Sequence, residues 1–108
     1  MKIKDFKDKL GLRDLTDSDQ EKEITGCYCG DLLSWVMSRA KEGDAWLTVM
    51  GNVNAVAVAV LTECACIVLT ENASLDEQAK IKAEMQGVCF LQSDKNAYEL
   101  AVEISKII

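Results

Sequence analysis

Few residues in this sequence are of types that carry chemistry, and cysteine is the most conspicuous of them. There are five. Four of them form two Cys-x-Cys pairs, Cys27/Cys29 and Cys64/Cys66, and Cys89 stands alone. Four thiolates could hold zinc or an iron–sulfur cluster, since both are soft acceptors. The spacing favours another role. Structural zinc sites place about two to four residues between paired ligands, whereas a strand sends alternate side chains to one face. Two cysteines separated by one residue are then small apolar side chains on a shared side of a sheet. Core packing is the expected role and no metal is expected. A redox or metal-delivery function is the cysteine-based alternative. An odd count of cysteines set mostly in apolar stretches suits a reducing compartment.

The remaining candidates are polar residues at turns. Gly51-Asn52-Val53-Asn54 could present free backbone N–H groups to a phosphate or carboxylate at a helix start. It has one glycine and no following lysine, and neither GxxxxGK[ST] nor GxGxxG occurs in the chain, so a helix-capping turn is the plainer reading. Asp31 and Asp94 read as caps before they read as catalytic carboxylates. Histidine is absent, which removes the commonest general acid–base and every Ser-His or Cys-His pairing. No catalytic residue is expected. Trp35 and Trp46 are expected in a core or an interface.

The elements that would position these residues follow from hydrophobic period and stop signals, because the chain has no proline to mark boundaries. Ile3, Phe6, Lys7 and Leu10 lie at helical spacing before Gly11. Leu12 to Leu15 could form a brief strand, 16–20 a polar loop, and Glu23 to Tyr28 a second extended piece. Asp31 opens a helix running to Lys41 with a stripe of Leu33, Val36, Met37 and Ala40, and Ala45 to Met50 reads as a buried parallel strand. The alternation from Ala55 to Val60 has a strand's period but two apolar faces. A helix over Asn54 to Thr62 is expected there, because a crossover must precede the next strand. Apolar all round, it should pack on the sheet with one face and on a second subunit with the other. Cys64 to Leu69 is the following strand. Ser74-Leu75-Asp76-Glu77 reads as a capping box opening a helix to Gln86, Val88 to Leu91 is the last strand, and Ser93 or Asp94 caps a final helix containing Ala97, Leu100, Ala101 and Ile104. The alternation predicts a single α/β domain over residues 1–108, a three-layer α/β/α arrangement around a mostly parallel sheet. Ligands gather beyond the carboxyl ends of such strands. That places Asp31, Gly51, Asn52, Asn54, Thr70, Asn72 and Asp94 together as the candidate ligand-binding set.

The formal charge of −6 argues against nucleic acid or an anionic membrane as partner, since both require a concentrated basic face. The densest basic cluster, Lys2, Lys4, Lys7 and Lys9, is interrupted by Asp5 and Asp8 and reads as a solvated face. A charged N-terminus and the lack of a long apolar run make the expected location cytoplasmic.

The stretches Gly30-Asp31-Leu32-Leu33-Ser34-Trp35-Val36-Met37, Glu42-Gly43-Asp44-Ala45-Trp46-Leu47-Thr48-Val49 and Val53 to Asn72 together resemble the DRTGG domain family. The resemblance is to its small stand-alone bacterial members, labelled serine kinase-like because the N-terminal domain of HPr kinase/phosphorylase is similar. It covers nearly the whole chain. The motif that names the family falls at Gly51-Asn52-Val53-Asn54-Ala55, which replaces its Asp-Arg-Thr-Gly-Gly. The resemblance implies a compact α/β/α domain, commonly dimeric, that accompanies catalytic or sensory domains and is associated with anaerobic hydrogenase systems. The kinase label does not carry over, because the phosphate-binding loop of HPr kinase lies in its C-terminal domain. The expected function is that of a non-catalytic regulatory, ligand-sensing or protein-interaction domain without cofactor. It is expected to be homodimeric, with Trp35, Val56, Ala59 and Val60 as interface candidates, and accessory to another enzyme or complex. The alternatives are a phosphotransfer-associated subunit binding a nucleotide or phosphate, and a cysteine-based accessory of an anaerobic oxidoreductase.

Overall fold

The computed structural model describes residues 1–108. Ten elements follow one another: α1 (Ile3–Leu10), β1 (Arg13–Asp14), β2 (Gly26–Cys29), α2 (Leu33–Arg39), β3 (Asp44–Thr48), α3 (Val53–Thr62), β4 (Cys66–Leu69), α4 (Glu77–Gln86), β5 (Phe90–Gln92) and α5 (Ala97–Ser105). The strands form one sheet in the order β1-β5-β4-β3-β2. β2, β3, β4 and β5 run parallel and β1 pairs antiparallel with β5.

Register explains why the middle strands read as continuous apolar runs. In β3, Ala45 and Leu47 enter the core that holds Ile3 and Phe6 of α1 and Leu100 and Ile104 of α5. Trp46, one residue out of phase, enters the other core with Val36 of α2, Val56 of α3 and Ala83 of α4. A parallel strand buried on both faces has no polar side to show. The result is the expected three-layer α/β/α arrangement, with α1 and α5 on one face of the sheet and α2, α3 and α4 on the other.

The ambiguous segment from Val53 to Thr62 is a helix. The Asn52 side chain accepts from the Ala55 N–H at 3.0 Å, one of the donors a helix start leaves open. Its inward residues are Ala55, Val56, Val58 and Ala59, while Val53, Ala57, Val60 and Leu61 face outward. Two interface expectations are thereby corrected: Val56 and Ala59 are buried within the chain and have no surface left for a second subunit. Val60 and Trp35 remain exposed.

The caps need correcting too. Asp31 does not cap α2, whose first flanking residue is Leu32 with no side-chain cap bond. The Ser74 capping box does not form, because Asp76 occupies the cap position of α4 while the Ser74 backbone is pressed against Gly51. α5 is opened by Asn96 and not by Ser93 or Asp94, and its reciprocal partner is Glu99. β1 is shorter than the expected Leu12 to Leu15, since Leu12 and Leu15 turn into the two cores and leave Arg13 and Asp14 to pair. The basic cluster is a solvated face: Lys2 and Lys4 both reach Glu21, and Lys7 reaches Asp14. No helix is long and apolar enough to cross a membrane.

Candidate functional site

Four parallel strands deliver their following turns to one pole: Gly30-Asp31 after β2, Val49 to Asn52 after β3, Thr70 to Asn72 after β4 and Ser93-Asp94 after β5. Because β1 runs the opposite way, its first residue lies beside the last of β5, with Arg13 opposite Gln92. The antiparallel edge strand therefore delivers a guanidinium to the pole where the parallel strands deliver amides and carboxylates.

The candidate residues divide into two groups there. At one side, the Asp31 carboxylate accepts from Thr48 Oγ1 at 2.7 Å and from the Val49 N–H at 3.0 Å, which ties the turn after β2 to the end of β3. At the other, Arg13 Nε donates to Gln92 Oε1 at 2.9 Å, and its Nη2 donates to Asn72 Oδ1 at 2.7 Å and to Asp94 Oδ1 at 2.8 Å. Arg13 thus brings together Asn72 and Asp94 from two different turns. Glu71 and Asn72 sit at φ 55° and 57°, a left-handed pair that costs side-chain-bearing residues about 1–2 kcal/mol each. Their N–H groups are held by Lys95 O and Ser93 O, both at 2.8 Å. A turn fixed in this way points to a position that matters.

Two of the expected residues are packed away from any ligand. Gly51 is buried, and a Cβ there would stand 2.1 Å from Ser74 O, so glycine permits two loops to touch. Thr70 is 2% exposed, and its backbone N–H donates to Thr48 O. Asn52 spends its side chain on the cap of α3, and Asn54 is exposed beside it. The remaining accessible set is Asp31, Asn54, Asn72 and Asp94, to which the structure adds Arg13 and Gln92. Neither addition was legible from a motif. An arginine in a brief strand gains this place only through the antiparallel pairing of β1.

The guanidinium of Arg13 is a planar donor fork with a free Nη, suited to a carboxylate or phosphate. Asp94, with its side chain 75% exposed, is the anion such a ligand would displace. A depression of about 610 Å³ lies at the opposite pole among Lys22, Glu23, Glu42, Glu63 and Cys64. Three carboxylates against one lysine repel an anion there. A smaller cleft of about 440 Å³ runs along β2 beside Arg39 and Lys41. Trp35 carries Arg39 over its ring at 4.0 Å. Trp46 is buried and donates its indole N–H to Gly30 O at 2.8 Å.

The cysteines differ from the expected core pairs. Cys64 and Cys66 are both buried, but in opposite cores, so they share no face. Cys27 and Cys29 are exposed on the edge strand β2. Burial raises the thiols of Cys64, Cys66 and Cys89. The neighbouring Cys27 thiol lowers Cys29 to about 7, while Cys27 itself is pushed up by the same partner and by desolvation.

No family model and no curated protein matches the sequence. Among solved structures, the chain is similar to the CBS and DRTGG domains of the regulatory region of Clostridium perfringens pyrophosphatase, crystallised with the activator diadenosine tetraphosphate. The TM-score is 0.77 at 10% identity, over 94% of this chain and 45% of that one. The chain therefore spans less than half the length of the region it matches. At that identity the likeness is one of fold, and the fold is the DRTGG-like α/β/α arrangement that the sequence resemblance implies.

Proposed function

We propose that this chain is a non-catalytic regulatory domain that senses a small anionic ligand at the carboxyl pole of its sheet. In this reading it acts as a homodimer, accessory to another enzyme or complex, in the cytoplasm. The observation that carries the reading is the Arg13 network with Asn72, Gln92 and Asp94, on a fold shared with a regulatory region that takes a nucleotide activator. The resemblance to the N-terminal, non-catalytic domain of HPr kinase/phosphorylase supports it from the sequence side. An acidic chain whose densest basic cluster is paired at Lys2, Lys4 and Lys7 supports a small ligand over nucleic acid or a membrane surface. Free thiols support a reducing compartment.

The dimer is supported by the outer side of the α2/α3/α4 layer, where Trp35, Val60, Leu61, Ile81 and Met85 are exposed, Leu61 at 68% and Met85 at 80%. Light scattering on a sizing column should give about twice the 11.9 kDa chain mass; a clean monomer would remove this part of the reading. The ligand is tested by thermal shift with ATP, AMP, inorganic pyrophosphate and diadenosine tetraphosphate. A ligand binding only the native state at one hundred times its Kd stabilises by about 2.7 kcal/mol, which moves the Tm by roughly 10 °C in a domain of this size. The shift should disappear in Arg13→Ala. No shift with any of these anions at millimolar concentration would overturn the ligand assignment.

A further inference from the structure

We propose that Cys27 and Cys29 form a two-thiolate site for one soft monovalent metal ion, of which copper(I) is the type, on the free edge of the sheet.

Both residues lie in β2 with one residue between them, so their side chains leave the same face, in register with Ala45 and Leu47 of β3. β2 is the terminal strand of the sheet. Both cysteines are exposed, whereas the other three are buried. A strand rises about 3.3 Å per residue, which sets the two Cα atoms about 6.6 Å apart. That is at the upper limit of the span of about 4.4–6.8 Å a disulfide accepts, while the two thiols lie close enough to act on one another. A direct S–S bond would pull β2 out of its pairing with β3. An ion bridging two sulfurs with bonds of about 2.3 Å each spans up to about 4.6 Å and leaves the strand in register.

Coordination number selects the ion. No group of three or more Cys, His, Asp or Glu side chains is placed to hold a metal, so the four-ligand shell of a structural zinc is not available. Two thiolates alone suit a soft ion content with two ligands. The surrounding charge favours a cation, since Asp44 acts on Cys27 and Asp31 on Cys29, each opposing thiolate formation in the absence of a metal. The balance is simple: the ion takes both sulfurs as thiolates, the Cys27 proton and the remaining Cys29 proton go to solvent, and no electron moves. The site lies apart from the Arg13 network and does not depend on the regulatory reading.

The test is an anaerobic competition titration of the full chain against the coloured copper(I) complex of bicinchoninate. Wild type should withdraw one equivalent per chain and gain near-ultraviolet thiolate-to-metal absorbance. Cys27→Ser and Cys29→Ser should each lose both signals, and Cys64→Ser should keep them. Equal withdrawal by the Cys27→Ser/Cys29→Ser double variant and wild type would overturn the proposal, as would no withdrawal by wild type. If a serine variant fails to fold, the unmodified chain still decides. One equivalent of copper(I) should protect Cys27 and Cys29, and no other cysteine, from alkylation mapped by mass spectrometry. Protection elsewhere, or nowhere, would equally overturn it.

Discussion

Replacing Gly51 with alanine tests whether this glycine exists for a ligand or for a contact between loops. The added Cβ would lie 2.1 Å from Ser74 O, 3.0 Å from Ser74 C and 3.1 Å from Leu75 Cα. All three are backbone atoms, so no side-chain rotation relieves the clash. The loops must part by roughly 1 Å to regain van der Waals separation. Parting them strains the bond from the Asp76 N–H to Gly51 O, 2.8 Å long, at the entry to α4. Overpacking costs about 1–3 kcal/mol and the hydrogen bond about 1 kcal/mol, which together give about 2–4 kcal/mol. For a domain of this length that is a fall in Tm of roughly 9–18 °C. Urea denaturation followed by far-ultraviolet circular dichroism measures it, with Gly11→Ala as the comparison. Gly11 has no atom within 4 Å of its would-be Cβ and carries only the left-handed backbone strain of φ 63°, about 1 kcal/mol. A Gly51→Ala protein within about 0.5 kcal/mol of wild type at unchanged m-value would refute the close-approach reasoning. If that stable variant also failed to bind ligand, the anion-turn reading of Gly51 to Asn54 would return.

Asp31→Ala removes an acceptor from the buried Thr48 hydroxyl and from Val49 N–H, and should cost about 2 kcal/mol in the same assay; a neutral result would show that solvent replaces the carboxylate freely. Arg13→Ala should cost no more than about 1 kcal/mol of stability, because its ion pair with Asp94 is exposed, yet abolish the anion-dependent Tm shift. Cys29, lowered to about 7, should alkylate with iodoacetamide at a rate half-maximal near that pH, while Cys27, pushed up, reacts slowly throughout; equal rates for the two would contradict the coupling. Cys64, Cys66 and Cys89 have folded pKa values raised above 9.0 by burial. Above pH 9 the unfolded chain therefore releases thiol protons that the folded chain keeps. Stability should be insensitive to these groups below pH 9 and fall as pH rises past it, a slope that Cys66→Ala should reduce.

The architecture could be read from the sequence because the parallel strands advertise themselves. Ala45 to Leu47 and Cys66 to Leu69 are apolar on both faces, and each strand is followed by a stop and a helix. Even the strand-like alternation of Ala55 to Val60 resolved correctly, since a crossover was topologically required. Local polar chemistry was less legible. Asp31, Ser93 and Asp94 are good caps by type, but Asp31 is claimed by Thr48 and Asp94 by Arg13, both distant in sequence. Asn96 won the cap of α5 because Glu99 answers it from the next turn. Arg13 and Gln92 were missed for the same reason: nothing local marks Arg13, whose partners lie 59 to 81 residues away. The exposure of Cys27 and Cys29 depended on β2 being an edge strand, a property of strand order that hydrophobic pattern does not encode.

The two edges of the sheet differ, and the difference limits how it can grow. β1 offers two residues of antiparallel edge, too little backbone to template another strand. β2 offers four residues, Gly26 to Cys29, with their outward N–H and C=O groups unpaired. For strand addition the molecule is therefore univalent. A second copy joining edge to edge through β2 consumes the one open side of each partner, so chain growth of the amyloid or filament kind terminates at two. A thiol-bound ion on that strand would occupy a face beside the only edge through which the sheet can be extended.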